Sequence, residues 1–215
     1  YRNTFYYDKE SSQCKLMSEI HTKLKKEKNF RRDRVGEWFK NVLLPSLKSN
    51  NNCCINLEIG CGHGHWLTSF AAKNPSKNFV GIDLITKRIN KASSKVTKRS
   101  LNNVSFCKAD ANEFLEFCDI VISNTFIMYP DPWPKKRHFK RRLIQFPFLD
   151  FLAQKTQGGG KLYFMTDHID YFDWSYAMVS DSKHWNFINE KWPHEECSYF
   201  QNILPANQFF CASRS

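Results

Sequence analysis

The sequence predicts one Rossmann-like α/β domain, a mostly parallel seven-stranded sheet with helices on both faces. Three observations carry this. Cys53-Cys-Ile-Asn-Leu-Glu-Ile59 reads as a buried strand, Gly60-Cys-Gly-His-Gly64 as a tight loop, and Trp66 to Ala72 as a helix. Strand, glycine loop and helix in that order make a nucleotide-type turn, where glycines let a ligand approach and the helix start offers free N–H groups. Further apolar runs then alternate with helical stretches, the βαβαβ pattern of a parallel sheet. Finally, 215 residues suffice for one domain with a proper core.

Each element follows in order. Residues 1–50 are expected to form a basic N-terminal arm and helix, and residues 51–215 the globular domain. The clusters Lys23 to Lys28 and Arg31 to Arg34 read equally as a solvated helix face or as a second phosphate contact. Val35, Trp38, Phe39, Val42 and Leu43 are spaced for an amphipathic helix over 35–47. Pro45 and the polar run Ser46 to Asn52 predict a linker. Asn78 to Ile82 is the second strand and ends on Asp83. A helix over 85–99, a third strand over 103–107 and a short helix over 111–117 follow. The fourth strand is Asp119 to Asn124. A helix is expected over 139–156, a turn at Gly158-Gly-Gly160, and a fifth strand over 161–166 ending on Asp167. Tyr171 to Val179 is helical. The last two strands are 184–189 and 208–212, with the polar loop Pro193 to Pro205 between them.

Composition narrows the function classes. Lys and Arg number 32 against 21 Asp and Glu, a net charge of +11, which points to an acidic partner. No stretch has the apolar length of a bilayer span, and the N-terminus has no signal pattern; no membrane partner is expected. The chain opens on Tyr1 rather than Met, so the natural start is expected upstream. Eight cysteines lie scattered with no C-x-x-C pair, which argues for free thiols in a reducing cytoplasm and against zinc. His63 and His65 lack a third ligand, and no metal is expected.

The carboxylates point to a cofactor. Glu58 stands two residues before Gly60, and Asp83 about twenty past the loop, the spacing of an acid that grips ribose hydroxyls. The loop is G-x-G-x-G, not the pyrophosphate fingerprint G-x-G-x-x-G. A carboxylate at Glu58 would repel a pyrophosphate and suits the cationic methionine end of S-adenosylmethionine. Gly60 and Gly62 would let that cofactor approach, and Asp110 would accept the adenine amino group. The competing reading is a plain strand–turn–helix with surface acids.

The stretch Tyr129-Pro-Asp-Pro-Trp-Pro-Lys-Lys-Arg-His138 joins a stiff loop to a basic block. Three prolines fix backbone angles, and each restricts the residue before it. Six of the eight residues from Lys135 to Arg142 are Lys or Arg, and no acid lies between Asp131 and Asp150. A fixed carboxylate beside an uncompensated cationic strip suggests a reaction site next to RNA. Two readings stand for several residues. Asp131 is a reacting-site carboxylate or an Asx-turn residue. Trp133 stacks on a base or anchors the loop. Asp167 accepts from a guanine edge or caps the next helix.

Leu57-Glu-Ile-Gly60, Pro130-Asp-Pro-Trp-Pro-Lys-Lys-Arg-His138, Lys140-Arg-Arg142 and Thr166-Asp167 resemble the bacterial tRNA (guanine-N7)-methyltransferases of the TrmB type, over about residues 53–201. The resemblance implies a class I methyltransferase fold, S-adenosylmethionine as cofactor, and methylation of a guanine in the tRNA variable loop; a monomer or homodimer in the cytoplasm is expected. It implies cofactor contacts for Glu58, Asp83, Asp110 and Asp131, and catalysis for Asp131. Lys135 and Asp167, with Ser198 and Gln201, match substrate-binding positions. Arg137, His138, Lys140, Arg141 and Arg142 match the RNA-contacting stretch. Two positions depart from the family pattern: Ser198-Tyr-Phe-Gln201 stands where Thr-x-Phe-Glu is common, and His65 where Glu usually follows the glycine loop. Gln keeps an acceptor and loses the charge. The alternatives are a methyltransferase on another RNA, or a weakened RNA-binding member of the same fold.

Overall fold

The computed structural model describes residues 6–49, 54–194 and 207–215. Its strands are β1 (Cys54–Ile59), β2 (Asn78–Asp83), β3 (Val104–Lys108), β4 (Val121–Met128), β5 (Thr156–Thr166), β6 (Trp185–Ile188) and β7 (Gln208–Arg214). They form one seven-stranded sheet in the order β3-β2-β1-β4-β5-β7-β6. The first five are parallel, and β7 runs antiparallel to both β5 and β6. The chain steps outward from β1 to β3, then returns to pair β4 with the other side of β1. This reversal opens a crevice at the carboxyl ends of β1 and β4, where ligands of open α/β sheets bind.

Helices cover both faces, as β1 and β2 require: nearly every residue of these strands is buried. On one face, α3 (His65–Lys73) and α4 (Thr86–Lys98) pack Trp66, Phe70 and Ala92 against Phe79, Phe106 and Phe126. On the other lie α1 (Tyr6–Trp38), α2 (Leu44–Ser49), α5 (Ala111–Phe117), α6 (Phe146–Lys155) and α7 (Ile169–Ser180). There Phe39, Phe114, Leu149 and Tyr171 pack with Leu57 and Phe164.

Four expectations are corrected. The expected linker is helical as far as Ser49, its last residues lying outside the described ones: α1 runs through a π-helical turn, Phe39–Leu43, into α2. Pro45 cannot donate to Asn41, and a widened turn ahead of a proline absorbs that lost bond. Val35, Phe39, Leu43 and Leu47 are then buried, whereas Val42 is exposed. β4 runs on to Met128, further than Asn124. Gly158-Gly-Gly160 is no separate turn but lies inside β5: between Ile122↔Thr156 and Asn124↔Lys161 the partner advances two residues while β5 advances five, a bulge of three extra residues. A Cβ on Gly160 would lie 2.7 Å from the Ser123 carbonyl oxygen, so β4 itself demands glycine there.

The fourth concerns the helix expected from Phe139. Lys136–Arg141 is a 3₁₀ turn, Arg142 leaves the helical region at ψ 137°, and α6 starts only at Phe146 with Pro147 in its first turn. Gln145 holds the break, its Nε2 donating to the carbonyls of Lys140 (2.9 Å) and Arg142 (2.7 Å). The Tyr171 hydroxyl accepts the N–H groups of Leu143 (3.0 Å) and Ile144 (3.4 Å). A tertiary partner thus satisfies donors that a continuous helix would have used internally.

Candidate functional site

The acids picked out in sequence sit where successive strands end. Glu58 is the penultimate residue of β1, Asp83 the last of β2, Asp110 follows β3, Asp131 follows β4 and Asp167 follows β5. Glu58, Asp83, Asp110 and Asp131 line one cavity of about 880 Å³, together with Gly60 and Gly62. Lys135 and Asp167 do not line it; both are exposed, and Asp167 follows the carboxyl end of β5. Ser198 and Gln201 lie outside the described residues.

Glu58 is 3 % exposed, and its Oε2 has no hydrogen-bond partner among the described residues. Burial first, and the Asp83 carboxylate second, push its pKa up to about 8. A buried, unpartnered carboxyl on a cavity wall is a seat for a cationic group.

Asp83 organises the glycine loop. Its Oδ2 accepts the Gly62 N–H at 3.1 Å and its Oδ1 the Ile85 N–H at 2.8 Å. Arg88 Nη1 approaches Oδ2 at 3.4 Å. A carboxylate has about four lone-pair sites, so one remains for a ribose hydroxyl. Asp110 has two tasks. Its Oδ1 caps α5 through the N–H groups of Asn112 (2.9 Å) and Glu113 (3.5 Å), and its other oxygen stays free to accept. Capping α5 and accepting from a ligand are therefore compatible at Asp110.

The glycines divide the labour. A Cβ on Gly60 or Gly62 would meet nothing within 4 Å, so their bare backbones edge the cavity itself. Gly64 instead serves packing: its φ is +66°, and a Cβ would lie 2.6 Å from Phe106 Cζ and 2.8 Å from Ala92 Cβ. Gly64→Ala is expected to lower stability by about 2 kcal/mol through overpacking and left-handed strain, measurable by denaturant titration.

The proline loop is held in a strained form. Tyr129 and Trp133, each preceding a proline, have φ of 51° and 45°, a region that side chains of this size rarely enter. Contacts from outside compensate. Tyr129 N–H donates to the Met165 carbonyl at 2.9 Å and its hydroxyl to Met165 Sδ at 3.2 Å. Arg141 lies over the Trp133 ring at 4.8 Å, and His138 meets that ring edge-on at 5.7 Å. Asp131, at the middle of the loop, is exposed and accepts no hydrogen bond among the described residues, so the Asx-turn reading fails. Trp133 is half-buried against these basic residues, which favours the anchoring role.

Of the basic strip, Lys135, Lys136, Arg137, Lys140 and Arg141 are exposed and His138 is half-buried. Arg142 is the exception and corrects the expectation of an RNA contact there. It is 2 % exposed, stacked 3.8 Å over Phe139, and donates through Nε to the Pro132 carbonyl at 2.9 Å. Two of the three rings that bury it, Tyr171 and Trp174, come from α7, which no local pattern around Arg142 announces.

Sequence reasoning also missed Arg88, Leu84 and Ile85. Leu84 and Ile85 are apolar yet exposed and line the cavity, as a flat adenine face would require. Their position directly after Asp83 was the available signal. His63 and His65 stand edge to face at 6.3 Å. Partial burial and the nearby Lys91 and Lys95 ammonium groups lower the His63 pKa. Among the described residues, no three His, Cys, Asp or Glu side chains converge as metal ligands. No described helix is long and apolar enough to cross a membrane.

A family model described as "Putative methyltransferase" matches residues 52–204. A tRNA (guanine-N(7)-)-methyltransferase of Streptococcus mutans is 35 % identical over 153 residues, spanning 71 % of this chain and 72 % of that protein. One from Magnetococcus marinus is 37 % identical over 64 % of this chain, which spans about half of it (54 %). Among solved structures, an rRNA methylase from Streptococcus thermophilus superposes with a TM-score of 0.52 at 12 % identity, covering 75 % of this chain and 86 % of that one; this likeness concerns the fold, that of α/β methyltransferases. With the motif-bearing segment inside the matched region and the four strand-end acids around one cavity, the chain belongs to the tRNA (guanine-N(7)-)-methyltransferase family.

Proposed function

We propose that the chain transfers a methyl group from S-adenosylmethionine to N7 of a guanine in the variable loop of tRNA, acting in the cytoplasm. The observation that carries this reading is the convergence of Glu58, Asp83, Asp110 and Asp131 on one cavity whose rim bears Lys140 and Arg141. When bound, the cofactor supplies an electrophilic sulfonium methyl. Glu58, with its orphaned oxygen, takes the cationic methionine end. Asp83 takes a ribose hydroxyl, Asp110 the adenine amino group, and Leu84 and Ile85 the adenine face.

Guanine N7 carries a lone pair and no proton, so no general base has to free the nucleophile. The protein's work is alignment and electrostatics. Asp131 faces the purine as it gains positive charge. Asp167 stands at the neighbouring strand end, since β4 and β5 are paired, and from there accepts from guanine N1–H or N2–H. The target base turns out of its tertiary contacts to reach this rim, and the exposed strip holds the flanking phosphates. The weakened-binder alternative is not favoured: the relatives are named as methyltransferases, and the four acids share one cavity.

The test is transfer of labelled methyl from S-adenosylmethionine to bulk tRNA, with the product nucleoside identified. Formation of 7-methylguanosine supports the reading; tRNA binding without it sinks the reading. The strip makes a separate prediction. A Lys140→Ala/Arg141→Ala double variant binds tRNA more weakly, and the slope of log affinity against log salt becomes shallower by about 1 to 2, because two phosphate contacts are lost. Filter binding across a salt series checks this.

A further inference from the structure

Arg142 stands apart from its neighbours in the basic strip. Its guanidinium is enclosed by three aromatic rings: Phe139 at 3.8 Å, Tyr171 at 5.1 Å and Trp174 at 5.3 Å. It is a bridge between two segments distant in sequence. Nε donates to the carbonyl of Pro132, the residue after Asp131, at 2.9 Å. Nη1 donates to the carbonyl of Asp170, in the first turn of α7, at 3.2 Å. That turn begins two residues after Asp167. The third guanidinium corner, Nη2, is buried with no partner.

A cation withdrawn from water is costly and contributes little net stability. Arg142 is therefore better explained by what it holds than by what it stabilises. The loop it grips contains two left-handed residues, Tyr129 and Trp133, which persist only where the surroundings over-determine them. The α7 side is braced independently: Trp174 Nε1 donates to the Ile144 carbonyl at 2.9 Å, and Tyr171 binds the two N–H groups after Arg142.

We propose that Arg142 is a positioning residue, a clamp that sets the Asp131 loop against the Asp167 turn and so fixes the two carboxylates about the acceptor base. The identity of that base rests on the proposed methyl transfer; the clamp rests on the geometry alone. A planar guanidinium is needed, because one rigid fork must reach two carbonyls while its face lies on Phe139. Lysine keeps the charge and cannot do all three.

Arg142→Lys, with Phe139→Leu as a milder variant that loosens the stack and keeps the arginine, tests this in the full-length chain. Activity is normalised to S-adenosylmethionine-binding sites, so unfolded protein does not count. The clamp predicts that kcat per site falls about 100-fold in Arg142→Lys, the loss expected for misplacement by about 1 Å, and less in Phe139→Leu. It also predicts an unchanged slope of tRNA affinity against salt, and amide exchange at His138, Arg142, Leu143 and Ile144 at least tenfold faster. A phosphate contact predicts the reverse: a slope shallower by about 1 and unchanged exchange, and that result overturns the proposal. So does unchanged kcat and exchange in both variants. Wild type that forms no 7-methylguanosine overturns the methyl-transfer reading, and exchange and salt slope then decide for or against the clamp without it.

Discussion

Asp131→Ala is expected to lower methyl transfer by about 10²- to 10³-fold, the loss typical of removing one preorganised electrostatic partner. Asp131 is positioned by a strained, three-proline loop whose contacts come from β5 and the basic strip, so its removal leaves the loop's supports in place. The effect therefore falls mainly on kcat. Affinity for tRNA changes little, because the exposed cations of the strip are untouched. Asp131→Asn separates charge from shape. It keeps the acceptor oxygen and the volume, so a loss close to that of Ala assigns the role to charge opposite the developing purinium. Recovery to near wild-type rates assigns it to hydrogen bonding instead. Single-turnover rates at saturating cofactor, with 7-methylguanosine quantified, decide between them. Rates for Asp131→Ala within about threefold of wild type would remove Asp131 from the mechanism.

Glu58→Gln should act in opposite directions on binding and on stability. The variant loses the anion that meets the methionine end, and cofactor affinity is expected to fall about 100-fold, on the scale of a desolvated charge pair. The free protein should become more stable. Glu58 titrates near 8 in the folded chain because burial and Asp83 oppose its charge, whereas the unfolded chain titrates near 4.5, the ordinary value. Between those values the native state holds a proton that the unfolded state has lost. Wild-type stability therefore falls as pH rises from about 4.5 to about 8 and levels off above it. Glutamine does not titrate, so the gap in melting temperature should widen from pH 5 to pH 8. The same shift predicts that the free protein holds Glu58 mostly neutral at pH 7 and that a cationic ligand ionises it. Calorimetry in buffers of different ionisation enthalpy should then show proton release approaching one per S-adenosylmethionine at pH 7 and fading above pH 9. Absence of proton release at pH 7 would show that Glu58 is already ionised before the cofactor arrives.

Much of the site was legible in the linear chain because its signals are local. A strand followed by closely spaced glycines, an acid just before them and another at the next strand end need only neighbours in sequence to be recognised. The same holds for the proline loop, whose restrictions act on adjacent residues. Because β1 to β4 are parallel, their carboxyl ends fall on one rim, and four acids found separately in sequence share one cavity. Other features were not legible. Leu84 and Ile85 follow Asp83 directly, but that place is a weak signal without their exposure beside the cavity, which only the fold shows. The start of α6 depends on Gln145 and Tyr171, and the glycine bulge in β5 on its register with β4.

The sequence by itself therefore determined the fold class, the family and the four acids that line one cavity, all of which follow from short-range order and parallel strand topology. Only the tertiary structure decided which charges meet solvent and in what state. Arg141 and Arg142 are adjacent and chemically identical, yet one lies exposed over Trp133 and the other is enclosed by Phe139, Tyr171 and Trp174. Burial is a property of what packs from elsewhere, and α7 arrives some thirty positions later along the chain. Glu58 follows the same rule: its place was readable two residues before a glycine, but its neutrality comes from the desolvation and the Asp83 carboxylate that the assembled sheet imposes.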